Sequence, residues 1–263
     1  NENVVLTSTA TELNLLDGKA ATNLALIGKQ GGTNFTGSLL VGHATTGTLN
    51  AAQYNTGIGI GAMDAITTSD KNTVVGYDAG TALTTAPNNT FVGRAAGKAV
   101  STGGGTGGST YIGDAAGFNH IGALNTAVGK SSMQSGASAN GYENSAFGQQ
   151  SLIALSSGLR NTGIGNNSGG AINTGSYNVT LGYNSGDNIT SGDGNVIIGS
   201  INADSATADK QLIIADGVDG SVAWLKGDSS GNVSVPANLN LSGSNKELRF
   251  YEGANYVGFE APA

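Results

Sequence analysis

Side chains able to do chemistry are sparse in this chain. Its 263 residues include two histidines, His43 and His120, and no cysteine. Disulfides, thiolate metal sites and a cysteine nucleophile are therefore excluded. Two histidines leave little material for an imidazole-based centre. Carboxylates are the main remaining resource. Asp114, Asp187, Asp193, Asp216 and Asp219 fall near turn sequences, and a pair held about 5–10 Å apart would suit glycoside hydrolysis. Aspartate is also favoured in turns, so loops explain these positions without a catalytic pair. Neither Asp187 to Asp193 nor Asp216 to Asp219 has calcium-loop spacing.

Three glycine motifs imitate reactive sites. Gly103-x-Gly105-x-x-Gly108 matches a dinucleotide fingerprint, but it lies in a glycine run with no strand-to-helix crossover. Val128-Gly129-Lys130-Ser131 has the letters that end a phosphate loop, yet the first glycine of that motif would fall at Leu124. Gly227-x-Ser229-x-Gly231 spells a nucleophile elbow, but a strand sequence follows it rather than a helix. Tyr54, Tyr77, Tyr111, Tyr142, Tyr177 and Tyr183 offer rings that either stack sugars or pack between chains. No catalytic, cofactor-binding or metal-binding residue emerges, no receptor-binding residue is singled out, and the chain is expected not to be an enzyme.

The elements that carry these residues follow from composition and period. Glycine supplies 44 of 263 residues, against about 7% in ordinary domains. Charged residues are 11%, where about 25% is usual. The net charge is −7 and the 11 basic residues are dispersed, which disfavours nucleic acid and anionic membrane surfaces as partners. No apolar run approaches the roughly 20 residues that span a bilayer, so membrane insertion is not expected. Glycine follows no three-residue period, which excludes collagen.

A short phrase recurs from Ser38. It starts at residues 38, 55, 72, 89, 109, 125, 144, 161, 178 and 195, with intervals of 17, 17, 17, 20, 16, 19, 17, 17 and 17. The fifth position is always glycine: Gly42, Gly59, Gly76, Gly93, Gly113, Gly129, Gly148, Gly165, Gly182 and Gly199. Such a column needs positive φ or admits no Cβ. The fourth position is always apolar: Val41, Ile58, Val75, Val92, Ile112, Val128, Phe147, Ile164, Leu181 and Ile198. These residues are expected to form the core. Asparagine opens eight of the ten copies and is expected to stack as an amide ladder. Small residues recur three past the glycine, and aliphatics seven past it.

Seventeen residues are too few for two helices and their turns, and glycine at this frequency costs about 1 kcal/mol per site in a helix. The expected fold is all-β, a parallel β-solenoid or β-roll with coils about 4.8 Å apart. So thin a core implies help from oligomerisation, and a parallel homotrimer is expected; a monomeric β-helix is the alternative. Residues 38–200 form the solenoid of ten repeats. Residues 1–37 form a connector in which Thr9–Leu16 is either a short capped helix or a surface turn. Residues 201–263 carry strand and hairpin modules. The chain opens Asn1-Glu2-Asn3 and stops at Ala263, and it is expected to be partial or processed.

The Asn-Thr-x-Val-Gly phrase with its following Ala/Ser-Gly resembles the β-roll head repeats of trimeric autotransporter adhesins. The wider string resembles the repeat-built tail fibres of marine phages. That string includes Ala10-Thr-Glu-Leu-Asn-Leu-Leu-Asp-Gly18, Leu40–Leu49, Gly227-Asp-Ser-Ser-Gly-Asn-Val233 and Lys246–Phe259. The resemblance covers nearly the whole chain. It implies a homotrimeric tail fibre on the virion, joined to other tail proteins and attaching to a host-surface glycan or protein. It also implies that a self-cleaving trimerisation chaperone often ends such a chain. A bacterial surface adhesin or extracellular filament is the alternative, and a polysaccharide-degrading fibre is the enzymatic one.

Overall fold

The computed structural model describes residues 28–43, 45–101, 107–136 and 139–240, and the strands of a hairpin at 247–252 and 255–260. The Thr9–Leu16 segment lies outside the described residues, as does most of the Gly103–Gly108 run.

The described chain is all-β. Each repeat supplies one three-residue strand: β2 (Leu39–Val41), β3 (Thr56–Ile58), β4 (Thr73–Val75), β5 (Thr90–Val92), β6 (Thr110–Ile112), β7 (Thr126–Val128), β8 (Ser145–Phe147), β9 (Thr162–Ile164), β10 (Val179–Leu181) and β11 (Val196–Ile198). Each pairs in parallel with the next in strict sequence order, equal positions opposite one another. The stack runs one strand past residue 200: β12 (Leu212–Ala215) continues in parallel on β11. Ten steps of about 4.8 Å make a rod of roughly 48 Å.

Both ends of the stack turn antiparallel. β1 (Gly28–Gln30) pairs antiparallel with β2. At the other end β13 (Ala223–Gly227) and β14 (Val233–Ser234) fold back as a meander on β12. β15 (Glu247–Glu252) and β16 (Asn255–Glu260) form a separate hairpin.

Between strands the chain makes tight turns, and left-handed residues steer them. From Gly59 to Gly182 the residue two past the glycine has positive φ, even where it is Asp78, Ala95, Ala115 or Ser131. Alanine in that region costs about 1–2 kcal/mol. The conformation turns its N–H along the rod axis: Ala95 donates to the Tyr77 carbonyl and Ala115 to the Arg94 carbonyl, each at 2.8 Å. Inter-coil hydrogen bonds offset the strain.

The opening asparagines form the expected ladder, fully interior. Asn161 N and Nδ2 both donate to Asn144 Oδ1, at 2.8 and 3.1 Å, and Asn161 Nδ2 also donates to the Gly175 carbonyl at 2.9 Å. Asn178 repeats the pattern on Asn161. Gln211 ends it on Asn195.

The core lies elsewhere than the sequence suggests. Val41, Ile58, Val75, Val92, Ile112, Val128, Phe147, Ile164, Leu181 and Ile198 point away from the interior; none is buried. Successive strand residues alternate faces, so the third position turns inward instead. Leu40, Val74, Phe91, Tyr111 and Ile197 occupy it. The interior is completed by the small column and by Ile66, Leu83, Val100, Leu155, Ile172 and Ile189.

In most coils inward volume is shared between the third position and the residue six further on; in the coil starting at Asn161 both are glycine, Gly163 and Gly169, and Leu152 of the preceding coil fills the space. Gly57 is matched by Met63, Ala127 by Met133, and Ala146 by Leu152. Phe91 is matched by Gly97 and Tyr111 by Gly117, where an added Cβ would lie 2.8 and 2.5 Å from the ring. The backbone at the second site is left-handed whether it carries Gly97, Met63 or Leu152, so size is the deciding variable. Gly97→Leu and Phe91→Ala are each expected to cost about 3 kcal/mol, from overpacking and from a cavity. Combined, they recover about 2 kcal/mol by coupling. A chemical-denaturation double-mutant cycle measures this, and strict additivity would contradict the shared volume.

Candidate functional surface

The strands present one face to the interior and one outward. Outward residues form two columns along the rod. One is hydroxylic over most of its length: Thr56, Thr73, Thr90, Thr110, Thr126, Ser145 and Thr162. The other is the aliphatic fourth-position column. Ile58, Ile164 and Leu181 remain 43%, 41% and 42% exposed. Parallel sheets are normally covered on both faces. Here the outer face is uncovered in the single chain and carries a continuous apolar strip, a pattern that marks an association surface.

Beside this strip runs the glycine column. From Gly59 to Gly199 each has positive φ, and an added Cβ would press on the backbone of the following coil. At Gly129 it would lie 2.5 Å from the Gly148 carbonyl oxygen. The glycine column thus does what its sequence suggests: it allows coils to stack at sheet spacing.

The candidate carboxylates are engaged structurally. Asp114 pairs with Arg94 at 2.7 Å. Asp187 lies 3.4 Å from Asn167 Nδ2. Asp193 accepts from the Ser176 amide at 2.7 Å, just as Asp70 accepts from Gln53 one coil below. Asp219 accepts from the Ser221 amide. Asp216 accepts four backbone N–H bonds, from Val218, Asp219, Gly220 and Val222, which hold its carboxyl down at about 2. It organises the β12–β13 turn. Among the described residues no group of three or more histidines and carboxylates could hold a metal ion. A cavity of about 300 Å³ opens near the end of the stack between Asn184, Asp187, Asn202 and Asp219.

Gly227–Gly231 forms the turn between β13 and β14, with Asp228 bonded to the Ser230 and Asn232 amides. His43 contacts the Ala62 carbonyl through Nε2 at 2.8 Å. Tyr111 is a core residue, its ring stacked on Phe91 with centroids 5.3 Å apart. Tyr54, Tyr77, Tyr142, Tyr177 and Tyr183 are exposed on the corners. Arg160 bridges two of these coils: its guanidinium donates to Glu143 at 2.5 Å and to the Tyr177 hydroxyl at 2.7 Å.

Sequence reasoning found the glycine column and missed the outward face. The signal was present as an inverse size relation between residues six apart in most coils, broken at Gly163 and Gly169. No known family, curated protein or solved structure matches this chain.

Proposed function

We propose that this chain is a rigid, non-enzymatic segment of a homotrimeric fibre, a phage tail fibre or similar virion appendage that spaces and attaches the particle to a host-surface glycan or protein. The observation that carries the reading is the uncovered aliphatic column on the outer face of an unbranched parallel stack. Three copies packed along a common axis cover that column. Burying the remaining surface of each residue contributes on the order of 1 kcal/mol, repeated at every coil. The axial hydrogen bonds give stiffness, and the carboxylates serve turns rather than a reaction.

Sedimentation equilibrium tests the assembly. The expected mass is three times the 25.9 kDa of one chain. Ile112→Asp and Ile164→Asp, both outward, are expected to reduce it to one chain while leaving the circular dichroism spectrum intact. A wild-type chain that stays monomeric at micromolar concentration sinks the assembly. Immunogold microscopy with antibody to residues 38–200 tests the owner. Gold on tail-associated fibres supports the virion reading, whereas gold on bacterial envelopes makes the same rod a surface adhesin. Reducing ends released from host capsule by the purified protein would overturn the non-enzymatic reading.

A further inference from the structure

One coil carries a titratable imidazole in its interior column. In the coil beginning at Ser109 the inward aliphatic seven past the glycine is replaced by His120, whose side chain is buried. The same column holds Val100 one coil below, and Ala139 bridges to His120 from the coil above. The third position of this coil is Tyr111, also buried. His120 Nε2 has no hydrogen-bond partner among the described residues, and the Tyr111 hydroxyl sits beside the Ser109 and Asn125 side chains. His120 Nδ1 lies 3.4 Å from Asn125 Nδ2, whose stronger bond goes to the Gly141 carbonyl at 2.9 Å. The asparagine ladder is also interrupted here. Ser109 takes the place of an asparagine, and its hydroxyl receives the Asn125 amide at 3.3 Å. Thus an orphaned imidazole nitrogen and the weakest ladder step share one level of the rod.

We propose that the coil Ser109–Asn125 is a built-in acid-sensitive break point, at which protonation of His120 opens the rod while the regular 17-residue coils from Asn144 onward stay closed. An imidazolium there would lie in an apolar layer with no counter-charge. The titratable group beside it is Tyr111, whose phenol burial pushes up to about 12, so it stays neutral. Ser109, Asn125, Val100 and Ala139 are uncharged; the nearest cation on the coil below, Lys98, lies over the Phe118 ring and is paired with Asp78 at 2.9 Å. Burial alone pushes the His120 imidazole down to about 4 from its ordinary 6.5. The sign follows from linkage. Between those two values the opened coil binds a proton that the closed coil does not, so closure weakens as pH falls from 6.5 towards 4. The loss is complete below the lower value. A separation of this size favours opening by about 100-fold or more.

Hydrogen–deuterium exchange on the full chain at pH 7 and pH 4, corrected for intrinsic rates, tests this. Peptides within 109–125 are expected to lose about 100-fold in protection, while those within 161–195 change little. His120→Gln keeps a neutral polar ring substitute and is expected to remove the difference. His120→Leu restores the column's usual aliphatic and is expected to remove it as well, with higher protection at pH 7. Acid loosening spread evenly over all coils overturns the proposal, and so does a 109–125 response that persists in His120→Gln.

Discussion

Gly129→Val is expected to abolish cooperative folding of the coils on either side of it. Its φ is +130°, a region that β-branched residues essentially do not enter. The added Cβ would meet the Gly148 carbonyl oxygen at 2.5 Å, and that oxygen belongs to backbone, not to a side chain that can swing away. Strain and steric conflict together exceed about 4 kcal/mol, the range reserved for such special positions. Thermal melting by circular dichroism is expected to show the midpoint falling by about 10 °C or more. Gly136→Val is the matched control: Gly136 is exposed, and an added Cβ there meets nothing within 4 Å. If the two variants melt alike, glycine is not what sets the coil spacing.

Asn161→Ala is the second large effect. The substitution removes the acceptor for Asn178 N and Nδ2, and the donor to the Gly175 carbonyl. These groups are interior, where an unpaired donor or acceptor costs about 1–3 kcal/mol. Their sum is about 4 kcal/mol, concentrated between two coils. Because each coil contacts only its neighbours, the damage is expected to stay local. Amide exchange should accelerate over the coils starting at Asn161 and Asn178 and remain slow over those starting at Asn55 and Asn72. Asn161→Asp separates the roles: it keeps acceptor oxygens but places an unpaired charge in the interior, and it is expected to be as harmful at neutral pH. Unchanged exchange in Asn161→Ala would show that the ladder is incidental to stability.

The two predictions rest on columns that were readable directly. A residue repeated at every coil leaves a mark in the sequence because stacking imposes the same geometry each time. Gly129 and Asn161 are of that kind. The direction in which strand residues face was not readable that way. The fourth position is uniformly apolar and looked like a core, while the true inward position ranges from Gly57 to Tyr111. Its variation is balanced six residues later in most coils, and at Gly163 by Leu152 of the preceding coil, so no single column reveals it. The last parallel strand was hidden for a related reason. Gln211 replaces asparagine, and Ala215 stands where glycine is expected, although the amide bond to Asn195 is kept. Of the chemistry-bearing candidates, the aspartates were legible as turn residues, and Asp216 shows why: one carboxyl satisfies four amides.

Volume sharing inside a coil also has a genetic consequence. Phe91 needs Gly97, and Gly57 makes room both for Met63 and for Leu40 of the preceding coil. A coil is therefore portable where its inward side chains match in size those of the coils it comes to stack on. Duplicating or deleting one in frame changes the reach of the rod by a single increment of about 4.8 Å and leaves its ends unchanged. A crossover that falls between the two members of a pair can join two bulky residues in one layer, whereas two glycines are tolerated where the preceding coil fills the space, as Leu152 does for Gly163 and Gly169. Length in this architecture evolves in whole steps, and recombination is tolerated at the coil boundaries rather than within them.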